Sequence, residues 1–189
     1  MKIIVFNLFS FIFGFLFLWK YHGVATLFKW SVIIVIGLLY DSYFLKYFVR
    51  QIPLFKIFYV GITWGLMCVW LPFETWHWEA FFIVVLYISA LVLPFDIRDK
   101  NQDEVLTFPK WIGVEKTKIL AYILLLISGL LAFWFYGIAT ETWAFLGAVL
   151  VSVGLVAGAA ETRKDLYFSF GVETCCGLPF LFLILLKYF

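Results

Sequence analysis

The chain has 189 residues, of which 65% are hydrophobic, 23% aromatic and only 14% charged; its mean hydropathy is +1.04. A water-soluble domain of 22.1 kDa needs more polar surface than that, so the bilayer must solvate most of the molecule. The net charge of +2 gives no basis for nucleic-acid binding, and the size suits a single transmembrane domain over 1–189.

In chain order, seven apolar runs are long enough to cross about 30 Å of hydrocarbon. They cover 3–19, 27–44, 54–73, 80–95, 119–137, 143–160 and 166–186. Backbone amides in lipid have to be satisfied within the segment, so the expected fold is all-α, a polytopic bundle of about seven helices. Lys2, the apolar stretch after it and "HGVA" resemble a signal peptide in outline. The length and aromatic content of that stretch favour a first span instead. Lys29 and Lys56 stand where they can snorkel from span ends.

Alternation of seven spans places eleven Lys and Arg on one side and three (Lys20, Lys29, Lys187) on the other. The positive-inside rule then predicts a cytoplasmic amino terminus, a cytoplasmic loop over 96–118 and an external carboxyl terminus. Gly61 with Gly65, and Gly154 with Gly158, have the spacing of close helix contacts. Cys68, Cys175 and Cys176 all lie in apolar runs and read as buried small hydrophobes. His22 and His77, at span ends with no second ligand nearby, read as interfacial residues. Glu173 in the last run would suit an ion route, but the preferred reading is a helix-end acid at the cytoplasmic interface or one hydrogen-bonded to Thr174 or a neighbouring helix.

The sharpest polar feature is "LPFDIRDKNQDEVLTFPKWIG", where Asp96, Asp99 and Asp103 follow an apolar run. Spacings of three and seven put the three carboxylates on one face of a continuing helix. Like charges so placed repel unless cations intervene, and hard oxygen ligands suit Mg²⁺, which commonly bridges to phosphate. Arg98, Lys100 and Lys110 are placed to neutralise such an anion. A solvated loop of mixed charge explains the same spacing and stays open beside it.

These residues resemble the second aspartate-rich motif of UbiA-type intramembrane prenyltransferases, D-x-x-D-x-x-x-D followed by T-x-P…G. Asp96, Asp99 and Asp103 match the first part, and Thr107, Pro109 and Gly113 the second. Upstream, "LLYDSYFLKYF" is similar to the family's tyrosine-and-lysine segment, with Tyr43 and Lys46 matching; "DLYFSFGVETCC" resembles its last span entry, with Glu173 in place of Asp. The resemblance implies an integral protein of a bacterial inner (plasma) membrane that transfers a prenyl group from a prenyl diphosphate to an acceptor. It implies Mg²⁺ on Asp96, Asp99 and Asp103, diphosphate contacts from Arg98, Lys100, Lys46 and Lys110, and Tyr43 in the pocket.

The chain departs from that family in one respect that matters. Members have nine spans and two aspartate motifs, whereas the first run here corresponds to the family's third span, and no first motif precedes residue 96. Asp41 is the candidate auxiliary carboxylate. Beside a prenyltransferase, two further functions stay open. One is a non-catalytic relative that binds an isoprenoid or lipid head group, or is completed by a partner membrane protein. The other is an unrelated seven-span transporter.

Overall fold

A computed structural model describes residues 12–17, 19, 20, 23–102 without 42–51, and 105–188; the side chain of Asp41 is outside the described set. Every regular element among these residues is helical. Residues 12–17 form helix, followed by α1 (Gly23–Asp41) and α2 (Lys56–Gly65), which continues as a π-helical turn over Leu66–Trp70. Next come α3 (Trp78–Arg98), the short α4 (Phe108–Ile112), α5 (Val114–Tyr136) and α6 (Thr140–Gly158). A π-helical stretch Tyr167–Val172 and α7 (Leu178–Tyr188) complete the chain. Among the described residues four helices are long and apolar enough to cross a membrane: Gly23–Tyr40, Trp78–Arg98, Val114–Tyr136 and Thr140–Gly158. At 18 to 23 residues each reaches the length that about 30 Å of hydrocarbon requires. The protein is therefore an all-helical integral membrane protein.

The centre of the bundle is α3, which packs against α2 and α5, while α6 packs on α5 and α7. Its core includes Tyr87, Leu91, Leu93 and Ile97 from α3 with Ala121 and Leu125 from α5 and Phe168 beyond α6. A bundle in lipid gains nothing from hiding apolar surface between helices, so close packing and interhelical hydrogen bonds carry the association. Gly61 and Gly65 supply the packing: a methyl at Gly61 would stand 2.8 Å from the Val85 carbonyl oxygen, and one at Gly65 2.8 Å from the Phe81 ring. Ser89 Oγ donates to the Ile57 carbonyl (3.2 Å) across the same contact, and Ser128 Oγ to that of Ile83 (2.9 Å) between α5 and α3. The second small-residue pair divides. Tyr167 packs over Gly158, 2.7 Å from where a methyl would sit, but Gly154 meets only open space.

The helix over the run 80–95 extends into the aspartate stretch as far as Arg98 and so includes Asp96, because a helix can leave the hydrocarbon with its amides still paired and with Arg98 favourably placed against its C-terminal dipole. Two expectations change in detail. The run 166–186 is not one helix. It breaks at residues 175–177, where amides bond three residues back instead of four (Cys176 N to Glu173 O, 3.0 Å; Gly177 N to Thr174 O, 3.0 Å), just before Pro179, which has no N–H to continue a ladder. Of the cysteines, only Cys175 is fully buried; Cys68 lies exposed on the π turn and Cys176 is half-buried. Lys29, expected to snorkel, does so onto backbone: its ammonium donates to the carbonyls of Trp70 (2.9 Å) and Phe73 (2.7 Å), which the end of the π turn leaves without helical partners.

Candidate functional site at the end of α3

The last turn of α3 delivers Asp96 inward. Its carboxylate is 1% exposed, and Lys56 Nζ, from the first residue of α2, stands 2.7 Å from Oδ1. The entry to α2 explains how Lys56 arrives there. Pro53 is followed by Leu54 at φ +63°, a left-handed backbone that costs a leucine energy and persists only when its surroundings over-determine it. Here the Leu54 amide is tied to the Leu106 carbonyl (3.1 Å), which fixes the start of α2 against the segment that follows α3.

One turn further the charges reach the surface. Arg98 holds Asp99 with both ends of its fork, Nε to Oδ1 at 2.6 Å and Nη2 to Oδ2 at 2.9 Å, and its Nη1 lies 3.9 Å from Asp165. The guanidinium also lies 5.3 Å from the Phe95 ring centre and 5.4 Å from that of the fully buried Phe168. Lys100 reaches Glu161 at 3.3 Å, and Asn101 Nδ2 donates to the other oxygen of Glu161 at 2.8 Å. This hydrogen-bonded pair of loops joins the end of α3 to the end of α6.

Thr107, Pro109 and Gly113 shape the turn into α5. The Thr107 carbonyl accepts from the amides of Lys110 (3.1 Å) and Trp111 (3.0 Å), Pro109 is buried in the first turn of α4, and Lys110 is exposed on that helix. Gly113 takes φ +83° between α4 and α5, a conformation any other L-residue adopts at a cost, so the glycine is required by the turn itself.

The structure thus brings Asp96, Arg98, Asp99 and Lys100 to one end of the bundle but distributes their contacts. The single-face arrangement of three aspartates needs a helix through residue 103; instead α3 ends at Arg98, Asp99 caps it at φ −88° and ψ 5°, and residues 99–102 form a turn closed by Gln102 N to Asp99 O (2.8 Å). Asp103, Lys46, Tyr43, His22 and the Asp41 side chain lie outside the described residues. Among the described residues no group of three His, Cys, Asp or Glu side chains is placed to hold a metal ion. Both Asp99 oxygens face Arg98, and Asp96 faces Lys56.

Lys56, Glu161 and Asp165 are participants that sequence reasoning missed. Lys56 was legible only as a snorkelling residue, and its distance of forty positions from Asp96 carried no pairing signal. No family model, no curated protein and no solved structure matches this chain.

Proposed function

We propose that the chain is a UbiA-like integral membrane protein that binds a prenyl diphosphate at the Asp96 end of α3 and transfers its prenyl group to an acceptor. The observation that carries this is Asp96: a carboxylate buried at a span end, held by a lysine from another helix, is expensive to keep, and ionisable groups retained inside membrane bundles mark functional sites by default. Lys56 pairs with it, and Arg98 and Lys100 stand at the same end of the bundle on Asp99 and Glu161, three cations that a diphosphate could draw from their present partners. Mg²⁺ dependence belongs to the proposal through the resemblance alone; when bound, the ion would supply neutralisation of diphosphate charge.

Seven spans with a cytoplasmic 96–118 segment are part of the same proposal. Supporting it, the four long helices are joined by two shorter apolar ones, Lys56–Trp70 and Leu178–Tyr188, at two of the remaining expected places. Cysteines placed singly at positions 101 and 140 should react with a membrane-impermeant thiol reagent from opposite sides, in a background with the three native cysteines replaced. Reaction of both from one side would refute the topology.

Thermal unfolding in detergent tests binding. Farnesyl diphosphate with Mg²⁺ should raise the midpoint, since a ligand bound only by the folded state stabilises it by about 2.7 kcal/mol at a hundred times its Kd. Asp99→Asn should abolish most of that rise while leaving the unliganded protein folded. An equal rise in the variant would place the site elsewhere. The second function, a non-catalytic binder or subunit, is favoured by one observation: the chain's own cations already engage Asp96 and Asp99. Formation of a prenylated acceptor from membrane extract, with inorganic diphosphate released in equal amount, separates the two, because transfer alone joins the prenyl carbon to the acceptor, whereas water capture releases diphosphate with a free prenyl alcohol.

A further inference from the structure

A cleft of about 410 Å³ opens in the other half of the bundle, between the π turn after α2, the first half of α3, the end of α5, the start of α6 and α7. Its volume lies within the range of about 300–1,000 Å³ typical of small-molecule sites. Tyr87, the lining residue of α3 nearest the aspartates apart from Ile88, is nine residues from Asp96, about 14 Å along the helix axis. The cleft is separate from the charged site, and binding there does not depend on the prenyltransferase proposal.

The walls are almost wholly apolar, with Trp64, Phe145 and Phe180 among them. Phe180 is also 67% exposed on the outer face of α7, so the wall it forms borders the surrounding lipid. Two features set this cleft apart from a packing defect.

The first is the break in the last apolar run. Residues 175–177 leave helical geometry, and Cys176 within the break and Pro179 and Phe180 just after it line the cleft. Interrupted helices in membrane proteins are tolerated where their backbone is buried in protein or lines a cavity, and they commonly build binding sites there. The Tyr87 hydroxyl donates to the Cys175 carbonyl at 2.8 Å, so the break is held from inside the bundle. The hydroxyl also lies 3.0 Å from Ser152 Oγ and is fully engaged.

The second is Thr142. It lines the cleft at 2% exposure, and its hydroxyl oxygen is buried with no hydrogen-bond partner. Four other helical hydroxyls are satisfied within their own helix, whereas Thr107 Oγ1, just before α4, shares the lack of a partner. Ser31, Thr63, Thr117 and Ser152 each donate to the carbonyl four residues back, at 2.8–2.9 Å. Thr142 stands in the first turn of α6, where the residue four back precedes the helix, and the Ala139 carbonyl already accepts from the amides of Thr142 and Trp143. A hydroxyl left so in an apolar wall is a recognition element for something that enters.

We propose that this cleft binds a lipid-soluble molecule with an apolar body and one uncharged oxygen, an alcohol or carbonyl, which hydrogen-bonds Thr142. The head group is uncharged because the lining supplies one buried, unpartnered hydroxyl and no cation. Glu141 at the rim is paired with Lys187 at 3.2 Å, and its carboxylate disfavours an anion. Entry is from the bilayer, past Phe180.

The test uses the full chain in lipid nanodiscs and a long-chain primary alcohol with a diazirine at mid-chain, with the matching carboxylic acid as the charged control. After illumination, peptides containing Cys68 or residues 176–183 should carry the alcohol, and excess unlabelled alcohol should remove the signal. Thr142→Val should reduce labelling about fivefold, the worth of one neutral hydrogen bond, while Thr142→Ser retains it. The acid should label these peptides at least about fivefold less than the alcohol, and the unliganded thermal midpoint of Thr142→Val should equal or exceed the wild-type value, because no bond is lost. Labelling confined to outer residues such as Leu126 and Leu150, equal labelling of the valine variant, equal labelling by the acid, or a lowered midpoint would each overturn the proposal. None of these outcomes depends on Mg²⁺ or a diphosphate, so failure here leaves the Asp96 site untouched.

Discussion

The two ends of α3 solve opposite problems. At the Asp96 end, charges are drawn together: a buried carboxylate takes a lysine from α2, and a partly exposed one takes the arginine beside it. At the Trp78 end the charges stay at the rim, Glu79 beside His77 and Glu141 on Lys187, and aromatic rings fill the space within, with Trp76 centred 4.9 Å from Trp78 and 5.1 Å from Phe81, and the cleft opening below them. The difference teaches where polar atoms are costly. In the apolar half a single hydroxyl or carbonyl needs a dedicated partner, whereas in the charged half the partners are numerous and differ chiefly in burial.

Burial predicts the largest effect. Lys56→Met removes the ammonium 2.7 Å from a carboxylate that is almost fully enclosed, leaving a buried charge uncompensated, which should cost about 3 kcal/mol. Thermal unfolding in detergent reads it. Adding Asp96→Asn to the same chain should recover most of the loss, since the charge that needed the partner is gone, and the non-additivity measures the pair directly. A Lys56→Met protein as stable as wild type would mean that Asp96 is not held by this lysine, and the contrast between the two ends would lose its firmest point.

The apolar end should respond to a smaller chemical change. Tyr87→Phe keeps the ring against Phe145, 5.1 Å between centres, and removes only the hydroxyl that serves the Cys175 carbonyl. Losing that bond should cost about 1–2 kcal/mol, the penalty for a buried group deprived of its partner. Faster hydrogen exchange should be confined to amides 175–178, where the helix is already broken. Exchange accelerated evenly along the chain would show that Tyr87 supports the whole bundle and not the break.

Much of the architecture was legible because lipid enforces a simple rule: an apolar run of sufficient length becomes a helix. The spans around α3, α5 and α6 emerged within a few residues of their expected limits for that reason, and Gly61 with Gly65 marked a real contact by spacing. Gly154 and Gly158 have the same spacing, yet only Gly158 meets a neighbour, since spacing says nothing about which face a partner occupies. The charged cluster was half legible. Asp96, Asp99, Arg98 and Lys100 announced themselves by proximity in sequence, but Lys56, Glu161 and Asp165 are brought in by tertiary packing. The single-face geometry assumed that the helix would continue past Asp99. The cleft was invisible, because one unsatisfied threonine and one broken turn look like any other apolar stretch until the helices are packed together.

The smallest effect separates the two ion pairs within the charged end. Arg98 and Asp99 are adjacent, bidentate and about a quarter exposed (27% and 23%), against 2% for the Asp96 side chain. Water and salt share the work of solvating this pair, so Arg98→Gln should cost about 1 kcal/mol, less than half the Lys56→Met loss. The two losses should also differ in kind. Raising ionic strength from low to about 1 M, where screening reaches within about 3 Å, should shrink the Arg98→Gln difference and leave the Lys56→Met difference nearly unchanged, because ions do not enter the buried contact. Arg98→Lys should recover only part of its loss: the charge is restored, but a single ammonium cannot reproduce the fork on Asp99 while also standing over the Phe95 and Phe168 rings. An Arg98→Gln loss that equals the Lys56→Met loss and ignores salt would mean that the turn at 99–102 closes over Arg98 far more tightly than its exposure indicates, and that burial alone does not rank these pairs.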